Sequence, residues 1–412
     1  MKLDRRIFVG GGLATAGALW TFGNARAQEA NTIRIGHITD MSGIYRDVEG
    51  PTSVACTKQA VEEFVAQNPS FKIETLVADH QNKADVGLAV IRRWFDENGV
   101  DAITNVGNSS VALGAKTLVE GKDKVALITS AGSSDITGKS CSTNTLHWSW
   151  DSWCLAHSTA TSLVKTGGDK WFFVTADYAF GHAAQADATK FAELAGGKVL
   201  GAVRYPYGST SDFSSYLLQA QASGANVIAF ANSGADLLNC LKQAQEFGLT
   251  TKARLAAMVG YITDVLGMGL PVANGLTLTE TFYWDLNDRT RGFMKRIAPK
   301  LETGVFPNMS QVGDYSATLH YLKAVKELGV ARAKASGRDV IEMMKKMPTD
   351  DDCFGKGSIR ADGRKIHPAY LFEVKKPEES KSRGDIYKLV STLPAEQAFR
   401  PIADGNCPLI KA

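Results

Sequence analysis

Gly99-Val100-Asp101-Ala102-Ile103 leads into Gly107-Asn108-Ser109-Ser110, and Gly224-Ala225-Asn226-Val227-Ile228 leads into Asn232-Ser233-Gly234. Each phrase follows an amphipathic helix pattern and precedes another, so each reads as helix, buried strand, polar loop, helix. Two βα units of one design predict two similar lobes. Each lobe presents small polar groups at a strand's carboxyl edge, where open α/β sheets bind their ligands. The first expectation is a two-lobed binder of small molecules.

Working outward, strands are expected over 32–38, 71–79, 102–106 and 125–129, with helices over 53–68, 85–98 and from about Ser110. The stretch His147-Trp148-Ser149-Trp150-Asp151-Ser152-Trp153 interrupts the alternation, which restarts with strands over 171–176, 199–205, 227–231 and 255–259. Helices over 181–195, 213–223 and 235–247 separate them. A strand over 275–281 leads to Phe282-Tyr283-Trp284, followed by helices over 290–298, 309–328 and 338–347. A hairpin-like pair, 358–360 and 370–374, joins through Asp362-Gly363 before a proline-punctuated tail. Alternating strands and helices imply parallel sheets covered on both faces. The two aromatic clusters read as crossings between lobes. The division expected is a leader over 1–27, lobe 1 over 28–150 plus 282–355, and lobe 2 with the tail over 151–281 plus 356–412.

The first residues read as an address. Arg5-Arg6 precedes a short, glycine-rich apolar run, and Ala25-Arg26-Ala27 is an A-x-A cleavage site, so a twin-arginine signal peptide cleaved after Ala27 is expected. The run is too short to make a good membrane span. Of the formal charge of +3, all is lost with Lys2, Arg5, Arg6 and Arg26 against Asp4, leaving a neutral chain with no basic surplus for nucleic acid. The 412-residue length allows two substantial cores.

Export to an oxidising compartment permits disulfides among the six cysteines. Cys56 and Cys240 lie on apolar helix faces and suit the core. Cys407, in the tail, is the best candidate for a staple, with Cys141 or Cys353 as its partner. No Cys/His spacing suggests zinc, no H-E-x-x-H, G-x-S-x-G or phosphate-binding loop is present, and the seven histidines are scattered. Neither a metal, a cofactor nor an enzymatic activity is expected.

These features together resemble the periplasmic leucine/isoleucine/valine-binding proteins, the solute receptors of branched-chain amino-acid type ABC importers. The resemblance rests on Ile35-Gly36 through Asp40-Met41-Ser42-Gly43, the two polar loops of the first lobe, Ala176-Asp177-Tyr178-Ala179-Phe180-Gly181, and Leu241-Lys242-Gln243-Ala244-Gln245-Glu246-Phe247-Gly248-Leu249. It implies an α/β fold of two Rossmann-like lobes with parallel sheets, three hinge crossings, and a ligand held between the lobes. In such receptors a serine/asparagine loop and a small-residue loop of the first lobe hold the ligand carboxylate. Carried over, these are Asn108, Ser109 and Ser110, then Ala131, Gly132 and Ser133. Orphan amides and hydroxyls at a helix start suit an anion independently.

The second lobe departs from the amino-acid pattern. Where amino-acid members usually place an acid after the strand at 255–259, this chain has Tyr261. Tyr45, Trp148, Tyr178, Phe180 and Tyr261 near the expected cleft suit a ring-bearing acid or a neutral amide, and Asn232 is expected to add a contact on closure. The resemblance implies a monomeric periplasmic receptor that delivers a small organic ligand, a carboxylate and possibly aromatic, to the permease subunits of an importer. A ligand-sensing subunit of a signalling system, or a binder of branched-chain amino acids or short amides, are the alternatives.

Overall fold

The structure is a computed structural model that describes residues 31–410, so the expected leader lies outside the described residues. The amino-terminal half opens with β1 (Thr32–Thr39), α1 (Gly50–Gln67), β2 (Lys72–Asp79) and α2 (Ala84–Asp96). It continues with β3 (Ala102–Asn105), α3 (Ser109–Lys122), β4 (Val125–Ile128) and β5 (Thr145–His147). All five strands are parallel, in the order β2-β1-β3-β4-β5. β3 and β4 are buried at every position, as apolar strands covered on both faces must be, whereas the edge strand β2 is partly exposed along its length.

The second lobe repeats the design. It comprises α4 (Ser152–Lys165), β6 (Lys170–Ala176), α5 (Ala179–Leu194), β7 (Lys198–Tyr205), α6 (Ser214–Ala222), β8 (Val227–Ala231), α7 (Ala235–Glu246), β9 (Arg254–Ala257) and α8 (Ile262–Met268). Its parallel sheet runs β7-β6-β8-β9. The chain is therefore a two-lobed α/β protein with two parallel sheets.

The remaining elements serve both lobes. After β10 (Thr277–Glu280) come α9 (Asp288–Ile297), α10 (Met309–Leu328) and α11 (Gly337–Lys346). Nearly all of α10 is buried, against α1, β3 and α11 of the first lobe, which is why it lacks a polar face. β11 (Thr349–Asp351), β12 (Gly355–Ile359) and β13 (Lys365–Ile366) form one small antiparallel sheet, while β14 (Ala369–Val374) and β15 (Tyr387–Leu393) join β10 in another.

The hairpin expected between 358–360 and 370–374 does not form. The turn at Asp362-Gly363 folds β13 back onto β12. Asp362 accepts from the Arg364 amide at 3.1 Å, and Gly363 has φ 85°. His367-Pro368 then interrupts the ladder, since proline has no N–H to give it. A β-bridge ties Arg364 to His147 at the first sheet's edge, and the chain passes to the sheet of β10 at His367-Pro368, between β13 and β14. β5 and β15 were not expected as strands. β5 is three residues long and ends where the aromatic stretch begins, and β15 is largely exposed, so neither shows strand periodicity.

Cys141 and Cys407 form a disulfide across 266 positions of sequence, with Cα atoms 5.6 Å apart. Cys353, the other partner considered for Cys407, is a free, buried thiol beside the Lys365–Asp351 pair. The crosslink pins the tail to the loop after β4. Replacing both Cys141 and Cys407 by serine should lower unfolding stability by about 2–4 kcal/mol, read from urea denaturation under non-reducing conditions. A midpoint equal to wild type would show that the tail adds nothing to the fold.

Candidate functional site

Loops from both sheets' carboxyl edges meet between the lobes. After β1, both Asp40 carboxylate oxygens organise a turn: Oδ1 accepts from the amides of Ser42 (3.3 Å) and Gly43 (2.6 Å), and Oδ2 from Tyr45 (2.9 Å). A Cβ on Gly43 would lie 2.7 Å from that carboxylate, which explains the glycine. The turn aims Tyr45 at the second lobe. At the end of β3, Asn105 and Val106 hold φ of 73° and 53°, a left-handed pair that is strained for a β-branched residue. Asn105 is fixed there by its Nδ2, which donates to Asp314 (2.8 Å), Ser53 (3.1 Å) and Ser130 (3.1 Å). Burial pushes the Asp314 carboxyl up to about 7, against hydrogen bonds from Asn105, Thr129 and Thr104.

From the second lobe, Tyr178 and Phe180 enter on the turn from β6 into α5. A Cβ on Gly181 would stand 2.0 Å from the Ala176 carbonyl, so only glycine permits that turn. After β8, Gly234 at φ 59° brings its loop against the first lobe, and the Ala235 amide donates to the Ile44 carbonyl at 3.1 Å. Tyr261 follows β9.

Where these loops converge, Tyr45, Val48, Glu49, Gly107, Ser130 and Gly132 face Tyr178, Phe180, Ser233 and Tyr261, with Trp150 of the first crossing between them. The Trp150 ring meets Phe180 (5.8 Å, 87°) and Tyr261 (6.0 Å, 77°) edge to face. Its Nε1 donates to Ser310 at 2.8 Å. The Tyr45 and Tyr178 hydroxyls touch across the cleft, and Tyr207 stacks behind Tyr178 at 3.8 Å. The slot retains about 10 Å³ of space, room for about one water molecule. The lobes are closed, and a solute of several heavy atoms must part them. A larger groove of about 760 Å³, bounded by Asn226, Arg254 and Asn274, lies at the opposite strand ends of the second lobe, away from this convergence.

Of the residues expected in the site, Tyr45, Gly132, Tyr178, Phe180 and Tyr261 line the slot, and seven do not. Asn108 caps α3: its Oδ1 accepts from the amides of Ser110 (2.8 Å) and Val111 (3.2 Å), and its Nδ2 donates to Asn82. Ser110 is therefore held by that cap. Ser109 Oγ accepts from the Ser133 amide at 3.2 Å, so both serines brace one loop against the other. Ala131 gives its carbonyl to His147 Nε2 at 2.7 Å. Trp148 is wholly buried in the first lobe, donating to Ser316 at 2.7 Å, with the Lys365 ammonium 4.9 Å from its ring centroid. Asn232 points back at Cys240, leaving its neighbour Ser233 at the slot. Sequence reasoning missed Val48, Glu49, Gly107, Ser130, Trp150 and Ser233. Trp150 was quoted in the aromatic stretch but read with it as a crossing between lobes, and Glu49 lies in the loop ahead of the helix expected from Ser53.

The slot's chemistry is divided. The backbone amides of Gly107, Ala131 and Gly132 donate to no acceptor among the described residues, and Gly107 and Gly132 lie at the slot itself. Ser130 and Ser233 add hydroxyls. Burial raises the phenols of Tyr45, Tyr178 and Tyr261 above their ordinary range and raises the Glu49 carboxyl as well.

A family model described as periplasmic binding protein matches residues 32–382. The chain belongs to the periplasmic binding protein family. A periplasmic binding protein from Burkholderia mallei is 42% identical over 93% of this chain and all of its own, with a TM-score of 0.88. A branched-chain amino acid ABC transporter periplasmic ligand-binding protein from Burkholderia xenovorans LB400 is 37% identical over 92% of this chain and 99% of its own, TM-score 0.79. The fold is shared at 21% identity, TM-score 0.78, with a solute-binding protein from R. palustris solved with 4-hydroxybenzoate, over 89% of this chain and 98% of that one. No curated protein matches the chain. The two-lobed architecture is thus that of the solute-binding receptors of ABC importers. No described helix is long and apolar enough to cross a membrane.

One closed-state contact in this binding protein rests on a carboxyl whose pKa burial raises. Asp187 on α5 accepts from Ser134 (2.9 Å) and Ser152 (2.6 Å), joining the second lobe to the first lobe's loop and α5 to the start of α4. Burial raises its pKa from the ordinary 3.8 to about 6, against those two hydroxyl bonds. The folded state then binds the proton more tightly than the unfolded chain. The cost of the buried charge is absent below about pH 4, grows as pH rises through about 6, and is constant above. Asp187→Asn should accordingly melt higher than wild type at pH 7.5 and no higher at pH 4; the opposite order would assign the ionised carboxylate a net stabilising role.

Proposed function

We propose that this protein is the periplasmic receptor of an ABC importer, closing its two lobes on a small carboxylate with a planar, aromatic body and handing it to the permease. The observation that carries the reading is the slot: aromatic side chains from both lobes and the first crossing meet over unpaired backbone amides of the first lobe. Amides at strand ends suit a carboxylate, and the rings of Trp150, Tyr178, Phe180 and Tyr261 suit a flat apolar body. The 4-hydroxybenzoate of the R. palustris protein is a ligand of this description on the same fold. Tyr261, where amino-acid members usually carry an acid, argues against a ligand ammonium held from the second lobe. Export on the leader at 1–27, action as a monomer, and capture without chemical change complete the proposal.

Both lobes must touch the ligand, because ligand affinity that does not differ between open and closed forms shifts nothing. Titration calorimetry against benzoates, cinnamates, branched-chain amino acids and short amides tests the class. Aromatic acids should bind, and Phe180→Ala should weaken the best of them by roughly tenfold or more. Binding confined to amides or aliphatic amino acids would overturn the assignment.

A further inference from the structure

Among the described residues, Glu49 is the one acidic side chain at the slot, and no lysine, arginine or histidine lines it. It is 2% exposed. Every hydrogen bond to its carboxyl goes to Oε2, from the Thr39 hydroxyl (3.4 Å) and the Asp40 amide (3.3 Å), with His80 Nε2 at 3.7 Å. Oε1 accepts none among the described residues. It lies over the loop after β3, so close that a Cβ on Gly107 would stand 1.5 Å away. One oxygen of a buried carboxyl is therefore unpartnered and turned to the slot.

An acceptor that the described residues leave unpaired takes its donor from the slot, either a water or a group on the ligand. A plain carboxylate on the free amides of Gly107 and Gly132 aggravates the problem, because it sets a second anion beside Glu49. A ligand with its own O–H or N–H relieves it, by donating to Oε1 while its carboxylate takes the amides.

We propose that Glu49 is the specificity-determining residue of this site and that the ligand is a ring-bearing acid with a hydroxyl or amino donor, which Glu49 Oε1 accepts. The inference rests on the slot being the ligand site, as proposed above. Hydroxyl and amino groups share the required chemistry, so the experiment carries an arm for each.

Titration calorimetry of wild type, Glu49→Gln and Glu49→Asp would use benzoate, 3- and 4-hydroxybenzoate, and 3- and 4-aminobenzoate. In wild type at least one donor-bearing acid should bind about tenfold or more tighter than benzoate, the amount expected of a hydrogen bond to a charged acceptor. Glu49→Gln, which removes the charge but keeps a neutral acceptor, should cut that ratio several-fold, by weakening the donor-bearing acid while benzoate binds as tightly as before or tighter, and Glu49→Asp should restore part of it. The favoured arm identifies the donor. Benzoate binding wild type as tightly as every donor-bearing acid would overturn the proposal without need of a variant. Equal weakening of both members of a pair by Glu49→Gln would also overturn it, since a purely structural Glu49 gives that result. Binding of benzoate alone leaves the aromatic-acid reading standing and removes this one; binding of no acid removes both.

Discussion

Gly132→Val is expected to abolish ligand binding, with an affinity loss of a hundredfold or more, while the protein still folds. A Cβ at Gly132 would lie 2.2 Å from the Trp150 ring and 2.9 Å from Phe180. Trp150 cannot retreat freely, because its Nε1 is bonded to Ser310 and its faces meet Phe180 and Tyr261. The added bulk must push the ring, and with it the second lobe, away from the first. Overpacking of this kind costs about 1–3 kcal/mol of stability. The loss of closure is far more serious for a receptor, whose affinity comes from contacts made by both lobes at once. Calorimetry beside a thermal melt separates the two effects. Wild-type affinity in a well-folded Gly132→Val protein would place the ligand elsewhere.

Arg364→Ala should cost more stability than any other single change considered, about 3–5 kcal/mol. The guanidinium is fully buried and donates to the carbonyls of Trp148 (2.7 Å), Trp150 (3.0 Å) and Lys365 (3.1 Å), with Asp151 Oδ2 at 3.4 Å and the Phe399 ring at 4.3 Å. Burial lowers its pKa to about 10, so it stays charged at neutral pH. One side chain thus binds the first crossing, the β13 edge and the tail together. Alanine leaves three carbonyls and the buried Asp151 carboxylate short of a donor, and Arg364→Met should fail nearly as badly because bulk is not what is missing. Urea unfolding measures the loss. A change below about 1 kcal/mol would mean that water or a rearranged tail replaces these bonds.

Much of the fold was legible because its signal is local. The repeated βα phrases, the runs of apolar residues and the glycines at Gly43 and Gly181 each state what the chain does within a few residues. The pairing of β12 with β13 was misread because a turn fixes only where the chain reverses, not how far the ladder then runs; Pro368 decided that. The site was less legible. Asn108, Ser109 and Ser133 have the residue types of ligand contacts, yet their donors and acceptors are consumed in capping and bracing the loops that carry the slot. Trp148 and Trp150 stand two residues apart in one aromatic stretch and differ wholly in role, because one turns into the first lobe's core and the other into the cleft. Glu49 shows the limit most clearly. Its importance arises from Gly107, 58 positions later, and from a slot lining without a lysine, arginine or histidine among the described residues, neither of which sequence spacing displays.

The most direct test is a crystal structure of the protein with its tightest-binding aromatic acid. The acid should lie between Trp150, Tyr178 and Phe180, its carboxylate on the amides of Gly107 and Gly132, with both lobes in contact. An acid seated in the groove beside Asn226 and Arg254, or held by one lobe alone, would contradict the account.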